Sequence, residues 1–450
     1  MASALIVLAA GLGTRMKSDL PKVLHEVGGL PLFAHAIGSG TALEPERTVL
    51  VVGHGAEAVG KAAEGLDPAP ALAVQGERLG TAHAVAQARA ALEGFQGDAF
   101  VLYGDTPFIS PETLERMAEA RAAGHAVVVL GFKAADPGRY GRLVMSGDSL
   151  ERIVEFKDAS PEERAITLCN SGVVAADATT LFDLIDAVGN DNAAGEYYLT
   201  DIVAIARSRG LSATAVTCDE AETLGVDTRE RLAEAEAIFQ ARARAEALDI
   251  GVTMQAPETV FFAHDTVIGR DVVIEPNVVF GPGVTVESGA RIRAFSHLEG
   301  CHVGARAVIG PYARLRPGAE LGNDTRVGNF VEIKNAILGD GAKANHLTYI
   351  GDAEVGARTN IGAGTVTCNY DGVFKHRTVI GEDAFIGSDT MLVAPVTLGD
   401  RAMTASGSVI TKDIPAGGLG LGRAVQETKE GLGARIMDKL RARKAAKSKG

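Results

Sequence analysis

The chain has 450 residues, room for two or three domains of about 150 residues each. Its 46% hydrophobic and 22% charged residues exclude a disordered protein, and a formal charge of −13 argues against a general nucleic-acid surface. Two features are unusual: there are 54 glycines, and aromatics reach only 5% with no tryptophan. Trading aromatics for glycine and small aliphatics points to a narrow, repetitive core.

Residues 1–227 read as α/β. Short aliphatic runs (Leu5–Ala9, Thr48–Val52, Phe100–Tyr103, Ala126–Gly131) alternate with helix-like stretches such as Thr81–Leu92 and Pro111–Ala123. That alternation implies a largely parallel, Rossmann-like sheet with helices on its faces. Ligands in such sheets sit outside the carboxyl ends of the strands. A run without Gly or Pro, Thr228–Asp249, follows. About 22 residues at ~1.5 Å each make a rod of roughly 33 Å, taken here as a linker over 228–250.

From residue 251 to 450 the period becomes six. Aliphatic or similar residues fall at Ile268, Ile274, Phe280, Val286, Ile292 and Leu298. The series slips and resumes at Val303, then again at Leu338, Val355 and Ile380, ending at Ile410. Hexapeptide periodicity sustained this long signals a parallel β-helix, whose tight corners need glycine or small residues. The spacing breaks between Ile361 and Ile380, so residues 362–379 are expected to protrude as a loop. The basic run at Arg435, Lys439, Arg441, Arg443, Lys444, Lys447 and Lys449 reads as a solvated, frayed tail.

Four widely spaced cysteines (169, 218, 301, 368) favour neither a zinc site nor a disulfide framework. No apolar stretch reaches the ~18 residues of a membrane span. A cytoplasmic protein with no membrane partner is expected.

The clearest motif is Leu8-Ala9-Ala10-Gly11-Leu12-Gly13-Thr14-Arg15, with Pro21-Lys22 soon after. An apolar strand runs into a glycine loop whose N–H groups can cradle phosphates beside two cations. It is neither a dinucleotide fingerprint nor a Walker A loop, because Met16 stands where the first needs glycine and no Gly-Lys-Ser/Thr follows. Tyr103-Gly104-Asp105 ends a strand, a place suited to a magnesium carboxylate for triphosphate chemistry. Asp227 with Glu230 also fits a capping box opening the linker helix.

These strings resemble the signature of sugar-1-phosphate nucleotidyltransferases. Further blocks agree in order: Gln75, Leu79-Gly80-Thr81, Tyr140-Gly141, Glu155, Asn170-Ser171-Gly172 and Gly195–Asp201. With Arg316, Lys334, His346 and Asn369-Tyr370 interrupting the hexapeptides, nearly the whole chain resembles the family of bifunctional N-acetylglucosamine-1-phosphate uridyltransferase/glucosamine-1-phosphate acetyltransferases. The resemblance implies a left-handed β-helix and a homotrimer with acetyltransferase sites between subunits. It implies substrates glucosamine 1-phosphate, acetyl-CoA and UTP, and the product UDP-N-acetylglucosamine, a bacterial cell-envelope precursor.

Residue by residue, it places UTP and the sugar nucleotide on Leu8, Ala9, Ala10, Gly11, Lys22, Gln75, Gly80, Thr81, Tyr103, Gly104, Asp105, Gly141, Glu155, Asn170 and Asp227. Arg15 and Lys22 neutralise developing charge, and Asp105 and Asp227 hold Mg²⁺. Asp227 stands where the family has asparagine, which adds a negative charge. In the second half His346 is the general base, with Glu332 orienting it. Arg316, Lys334, Tyr349 and Asn360 take the sugar phosphate; Ala363, Asn369, Tyr370, Ser388, Ser406 and Arg423 take acetyl-CoA. Ser406 falls where the family often has alanine, a change a backbone contact tolerates. The alternative is a single-activity nucleotidyltransferase on a structural β-helix, a scaffold that would need none of Lys334, His346 or the 362–379 loop.

Overall fold

In the computed structural model, which describes residues 2–447, the chain divides into two units, Met1–Ala243 and Arg244–Gly450. The first is built on one sheet: β1 (Ser3–Ala9), β2 (Arg47–Val52), β3 (Ala71–Val74), β4 (Asp98–Tyr103), β5 (Val127–Lys133), β6 (Arg142–Ser146), β7 (Ser149–Val154), β8 (Leu168–Asp177) and β9 (Ala213–Cys218). Their order is β9-β5-β8-β4-β1-β2-β3, with the β6–β7 hairpin set against β8.

The segment β3-β2-β1-β4 is parallel, as expected of alternating strands and helices. β8, however, runs antiparallel to both β4 and β5. The sheet is therefore mixed. The chain returns from β5 to β8 through a hairpin, where a parallel neighbour would need a long crossover.

Alternate residues of each strand face opposite sides. Leu5, Leu50, Phe100 and Val128 pack with Phe33, Val59 and Leu114 from α1 (Leu32–Gly40), α2 (Ala56–Ala63) and, after the short α3 (Thr81–Ala86), α4 (Pro111–Ala122). Ile6, Val51, Val101 and Val129 pack on the other face with Val85 of α3, Leu181 of α5 (Ala178–Ile185) and Ile202 of α6 (Asp201–Ser208). The helix expected over Thr81–Leu92 stops at Ala86, and a tighter 3₁₀ turn over Ala90–Leu92 finishes it. α7 (Arg229–Asp249) continues through the point where the two units divide.

The second unit is a parallel β-helix of strands mostly two or three residues long. Ile292 pairs with Ile274 on one side and Ile309 on the other, so one coil is 17 or 18 residues. The six-residue series lies inside: Ile268, Phe280, Leu298, Leu315, Ile333, Ile350, Ile380 and Ile410 are all buried. The expected loop is shorter than the 362–379 interval, because strands run to Cys368 and resume at Thr378. The basic tail is not frayed; it is α8 (Leu432–Lys447), exposed along its length, and Lys449 lies outside the described residues.

Adjacent positions on one short strand should respond very differently. Ile292→Ala should cost about 2–5 kcal/mol in chemical denaturation of the second unit, because the buried column cannot collapse around the gap. Exposed Arg291→Ala should stay within about 0.5 kcal/mol.

Candidate functional site

β1 and β4 end side by side, tied where Gly104 N donates to Leu8 O at 2.9 Å. Beyond those ends lies a cleft of about 310 Å³ lined by Leu8, Gly11, Lys22, Gln75, Thr81 and Asp105, among others. Gly13 has φ +61, and a Cβ there would lie 2.5 Å from Lys22 Cβ. Glycine thus serves twice, permitting the left-handed turn and letting the lysine stem close over it.

Lys22 Nζ donates to Asp105 Oδ2. The Asp105 carbonyl accepts from Val226 N at 2.8 Å, which brings the next residue, Asp227, to the same corner. There Asp227 Oδ2 meets Arg15 at 2.6 Å. The expected capping box does not form: Thr228 Oγ1 accepts from Arg231 N and caps α7, so Asp227 is left to the arginine. Among the described residues no cluster of three or more His, Cys, Asp or Glu side chains forms a metal site.

Gln75 is buried and donates to Gly80 O at 3.2 Å. The Leu79-Gly80-Thr81 turn is fastened to the Gly195–Asp201 block. Tyr197 N donates to Leu79 O at 2.8 Å, and Leu199 N to Thr81 Oγ1 at 2.9 Å. Gly80, at φ +120, lies where a Cβ would overlap the Tyr197 backbone.

Gly141, Glu155 and Asn170 form a second group. A Cβ on Gly141 would lie 3.4 Å from Glu155 Oε1 and 3.6 Å from Asn170 Cβ. Asn170 sits at a register shift between β8 and β5, a bulge that re-aims its side chain. Tyr103 joins the groups; burial, then Asp105 and Glu155, push its phenol well above the usual range. Burial likewise raises the Glu155 carboxyl, opposed by a hydrogen bond from Thr200.

In the β-helix, His346 Nδ1 lies 3.0 Å from Asn329 Oδ1, an oxygen that can only accept. With that oxygen facing the ring, the contact suits the tautomer that carries its hydrogen on Nδ1 and leaves Nε2 to accept. Asn329 and His346 are partners in register on neighbouring coils. Gly328 permits the approach, since a Cβ there would overlap the Asn345 carbonyl. Within the chain, the Glu332 carboxylate accepts from Arg316 at 2.7 Å.

Lys334 Nζ lies 3.3 Å from Asp352 Oδ1, and Tyr349 stands beside Glu332 in register. Asn360 lies on the next coil, paired with Lys343. The residues expected at acetyl-CoA form one column of corners. Gly364 N donates to His346 O, Asp389 N to Ala363 O and Gly407 N to Ser388 O. Arg423 closes the column by donating to the Ser406 carbonyl at 2.7 Å, a backbone contact indifferent to serine or alanine. Asn369 and Tyr370 part company: Asn369 is buried against Asp352, while Tyr370 stands out on the loop.

The first unit matches the MobA-like NTP transferase domain over residues 5–171. Residues 265–300, 300–335 and 377–412 match the bacterial transferase hexapeptide (six repeats). The chain is 68% identical over 450 residues to the bifunctional protein GlmU of Ruegeria sp. (strain TM1040), covering 100% of both. It is also 68% identical to that of Cereibacter sphaeroides, covering 99% of this chain and 98% of the relative. The chain belongs to the bifunctional GlmU family. Its two units are accordingly the family's Rossmann-like nucleotidyltransferase domain and left-handed hexapeptide β-helix.

Sequence reasoning missed several residues at these GlmU sites. Arg78 and Glu196 line the first cleft. Lys375 stands beside Lys334, whose neighbouring charge lowers its pKa. Asn329 was findable, because it lies one coil length before His346. Lys375 was not, since it belongs to the loop that breaks the period.

The raised Glu155 carboxyl makes a pH prediction. If Glu155 holds the sugar as the resemblance implies, its ionised form is the one that accepts hydroxyls, so uridylyl transfer should fall as pH drops through the raised value. The acid limb of kcat/KM for N-acetylglucosamine 1-phosphate should lie above the ordinary ~4.3 of glutamate. Glu155→Gln should remove that limb and raise KM.

Proposed function

We propose that the two activities of this bifunctional uridyltransferase and acetyltransferase are divided between its units. On this reading residues 1–227 perform uridylyl transfer, 228–250 join the halves, and 251–450 perform acetyl transfer. The observation that carries it is the gathering of Gly11, Lys22, Gln75, Thr81 and Asp105, from separate segments, around one cleft at the strand ends.

In acetyl transfer, the amine of glucosamine 1-phosphate attacks the thioester carbonyl of acetyl-CoA. A C–N bond forms, the C–S bond breaks, and CoA leaves as its thiol. His346 Nε2 takes the proton lost by nitrogen and returns it to the departing sulfur, with Asn329 holding the ring in that tautomer. Arg316, Lys334 and the neighbouring Lys375 meet the sugar phosphate. The corner column from Ala363 to Ser406 and Arg423 is the path for acetyl-CoA.

In uridylyl transfer, a phosphate oxygen of N-acetylglucosamine 1-phosphate attacks the α-phosphorus of UTP, and the bond to pyrophosphate breaks. Gln75, Gly80 and Thr81 hold the uracil, and Gly141, Glu155 and Asn170 the sugar. Arg15 and Lys22 turn from their carboxylates to the triphosphate. Asp105 and Asp227 fit Mg²⁺, because two adjacent carboxylates plus phosphate oxygens are the donor set it prefers. Bound there, Mg²⁺ would neutralise charge on the phosphates. A cytoplasmic setting follows from the metabolites used; among the described residues no helix is long and apolar enough to cross a membrane.

A homotrimer is supported by an exposed strip beside His346. Phe295, Tyr312 and Phe330 stack with centroids 4.9 and 5.3 Å apart, yet are 51%, 48% and 57% exposed. All three hold left-handed backbone at φ 60, 57 and 57, which bulky residues adopt only when the surroundings require it. Exposed Leu347 extends the strip to the histidine. Copies of the chain covering this strip would complete the acetyltransferase site.

Product analysis by mass spectrometry tests the division. UDP-N-acetylglucosamine should appear from glucosamine 1-phosphate only with acetyl-CoA, UTP and Mg²⁺ all present. His346→Ala should slow acetyl transfer by about 10²–10⁴ and spare uridylyl transfer, while Asp105→Ala does the reverse. Loss of both activities in both folded variants would sink the two-site reading. For assembly, native mass spectrometry should find trimers, and Tyr312→Asp/Phe330→Asp should give monomers that keep only uridylyl transfer. A trimeric double variant, or a monomeric parent, overturns the strip as interface.

A further inference from the structure

We propose that Asp352 is the positioning residue of the acetyltransferase site, a single carboxylate that sets Lys334 and the base of the 369–377 loop relative to each other. The proposal rests on the reading that Lys334 and Lys375 receive the sugar phosphate.

Asp352 follows Gly351, the register partner of Lys334. Its backbone is left-handed, at φ 48, and its side chain is only 12% exposed. Oδ1 accepts from Asn335 Nδ2 at 2.6 Å and from Lys334 Nζ at 3.3 Å. Oδ2 accepts from Asn369 Nδ2, itself 7% exposed. The first two donors lie one coil before the carboxylate, the third one coil after it. One side chain thus stitches three successive coils, and the last donor is the residue from which the loop departs.

The loop is internally rigid, so fixing its base fixes its far side. Asp371 Oδ1 accepts from Val373 N at 2.8 Å and Phe374 N at 2.7 Å, and its other oxygen pairs with His376. His376 N returns to Asn369 O at 2.8 Å. Lys375 rides on this frame and faces a cavity of about 480 Å³ that Asn335, Asp352, His376 and Arg377 also line.

The charges explain why a carboxylate is needed. The Lys334 and Lys375 ammonium groups oppose each other; Lys334 pushes Lys375 down, Arg316 adds to this, and Asp352 counters it. Burial works to raise the Asp352 carboxyl, yet hydrogen bonds from Asn335, Asn369 and Lys334 hold it below its usual range. Other charges nearby are already committed: Glu332 to Arg316, Glu354 to Arg377, Asp371 to His376; the Tyr349 phenol also faces Lys334. Glu320 lines the same cavity and lies 3.8 Å from His302. Without Asp352, the two cations would lose the carboxylate placed between them, and the loop base would lose its anchor.

Full-length Asp352→Asn keeps the volume and removes the charge. Steady-state acetyl transfer should show KM for glucosamine 1-phosphate raised about ten-fold, the loss of one charge-assisted contact set. KM for acetyl-CoA should rise as well. Because a lysine without its anion deprotonates sooner, KM for the sugar phosphate in the variant should climb at a lower pH on the alkaline side than in the parent. Asp352→Glu should restore the parental profile in part, and uridylyl transfer by the same molecules should stay unchanged. A variant with parental KM values and pH profile overturns the proposal, as does a fall in kcat alone. Lys334→Ala separates the two levels. If it leaves KM for glucosamine 1-phosphate unchanged, the phosphate pocket itself is misread. If it raises KM while Asp352→Asn does not, only the positioning role fails.

Discussion

Parallel register is the constraint on which the second unit depends. Each coil bonds to the next through backbone groups, so residues 17 or 18 apart become neighbours in a column. The inward column supplies the apolar core, and the corner columns supply the chemistry. His346 meets Asn329 for this reason, and Asp352 meets Lys334 for the same one. A slip of one residue would turn the aliphatic column outward, so core and site are specified by a single pattern. Catalytic geometry costs little extra stability here, because the buried Ile, Leu and Val positions are left untouched by it.

The first unit reaches its site by a different constraint. Parallel strands present all their carboxyl ends on one edge, and β1 and β4 are adjacent there. The glycine turn after β1 and Asp105 after β4 are therefore brought together by topology alone. Their fine placement comes from elsewhere in the chain. Tyr197 and Leu199 hold the Gly80–Thr81 turn, and Val226 holds the Asp105 backbone. The Gly195–Asp201 block thus has a structural explanation: its backbone fastens the turn that carries Gly80 and Thr81.

The inward residues of the β-helix could be read directly from the sequence, because hexapeptide spacing reports burial one residue at a time. Pairings across coils were only half legible. Glu332 is fourteen positions before His346 and lies out of step with it, whereas Asn329 is in step; counting one coil would have chosen correctly. Local pattern leaves out tertiary competition in three places. Asp227 with Glu230 satisfies a capping box, yet Thr228 accepts from Arg231 N and Arg15 pairs with the aspartate. The antiparallel β8 was hidden by an aliphatic run that looks the same in either direction. Lys375 was hidden because a loop has no period from which to predict its facing.

On the reading proposed above, a chain of net charge −13 binds phosphates through a few cations, and four of them are held in advance. Arg15 has Asp227, Lys22 has Asp105, Arg316 has Glu332 and Lys334 has Asp352. As stability devices the more exposed of these pairs, Arg15–Asp227 and Arg316–Glu332, are weak, since exposed ion pairs contribute about 0–1 kcal/mol. Their effect is on order. A free lysine or arginine carries about 2 kcal/mol of rotamer entropy that a ligand would otherwise have to remove on binding. A carboxylate partner removes it in the folded state, and it also lowers the positive potential that would attract the wrong anion. The two units then differ in what happens next. In the first, on the proposed reading, the partners are carboxylates that would suit a divalent ion, and with the ion held by Asp105 and Asp227 the two cations would be released to the triphosphate. In the second, on the same reading, Glu332 and Asp352 remain beside Arg316 and Lys334, so the incoming phosphate meets cations already placed within the chain.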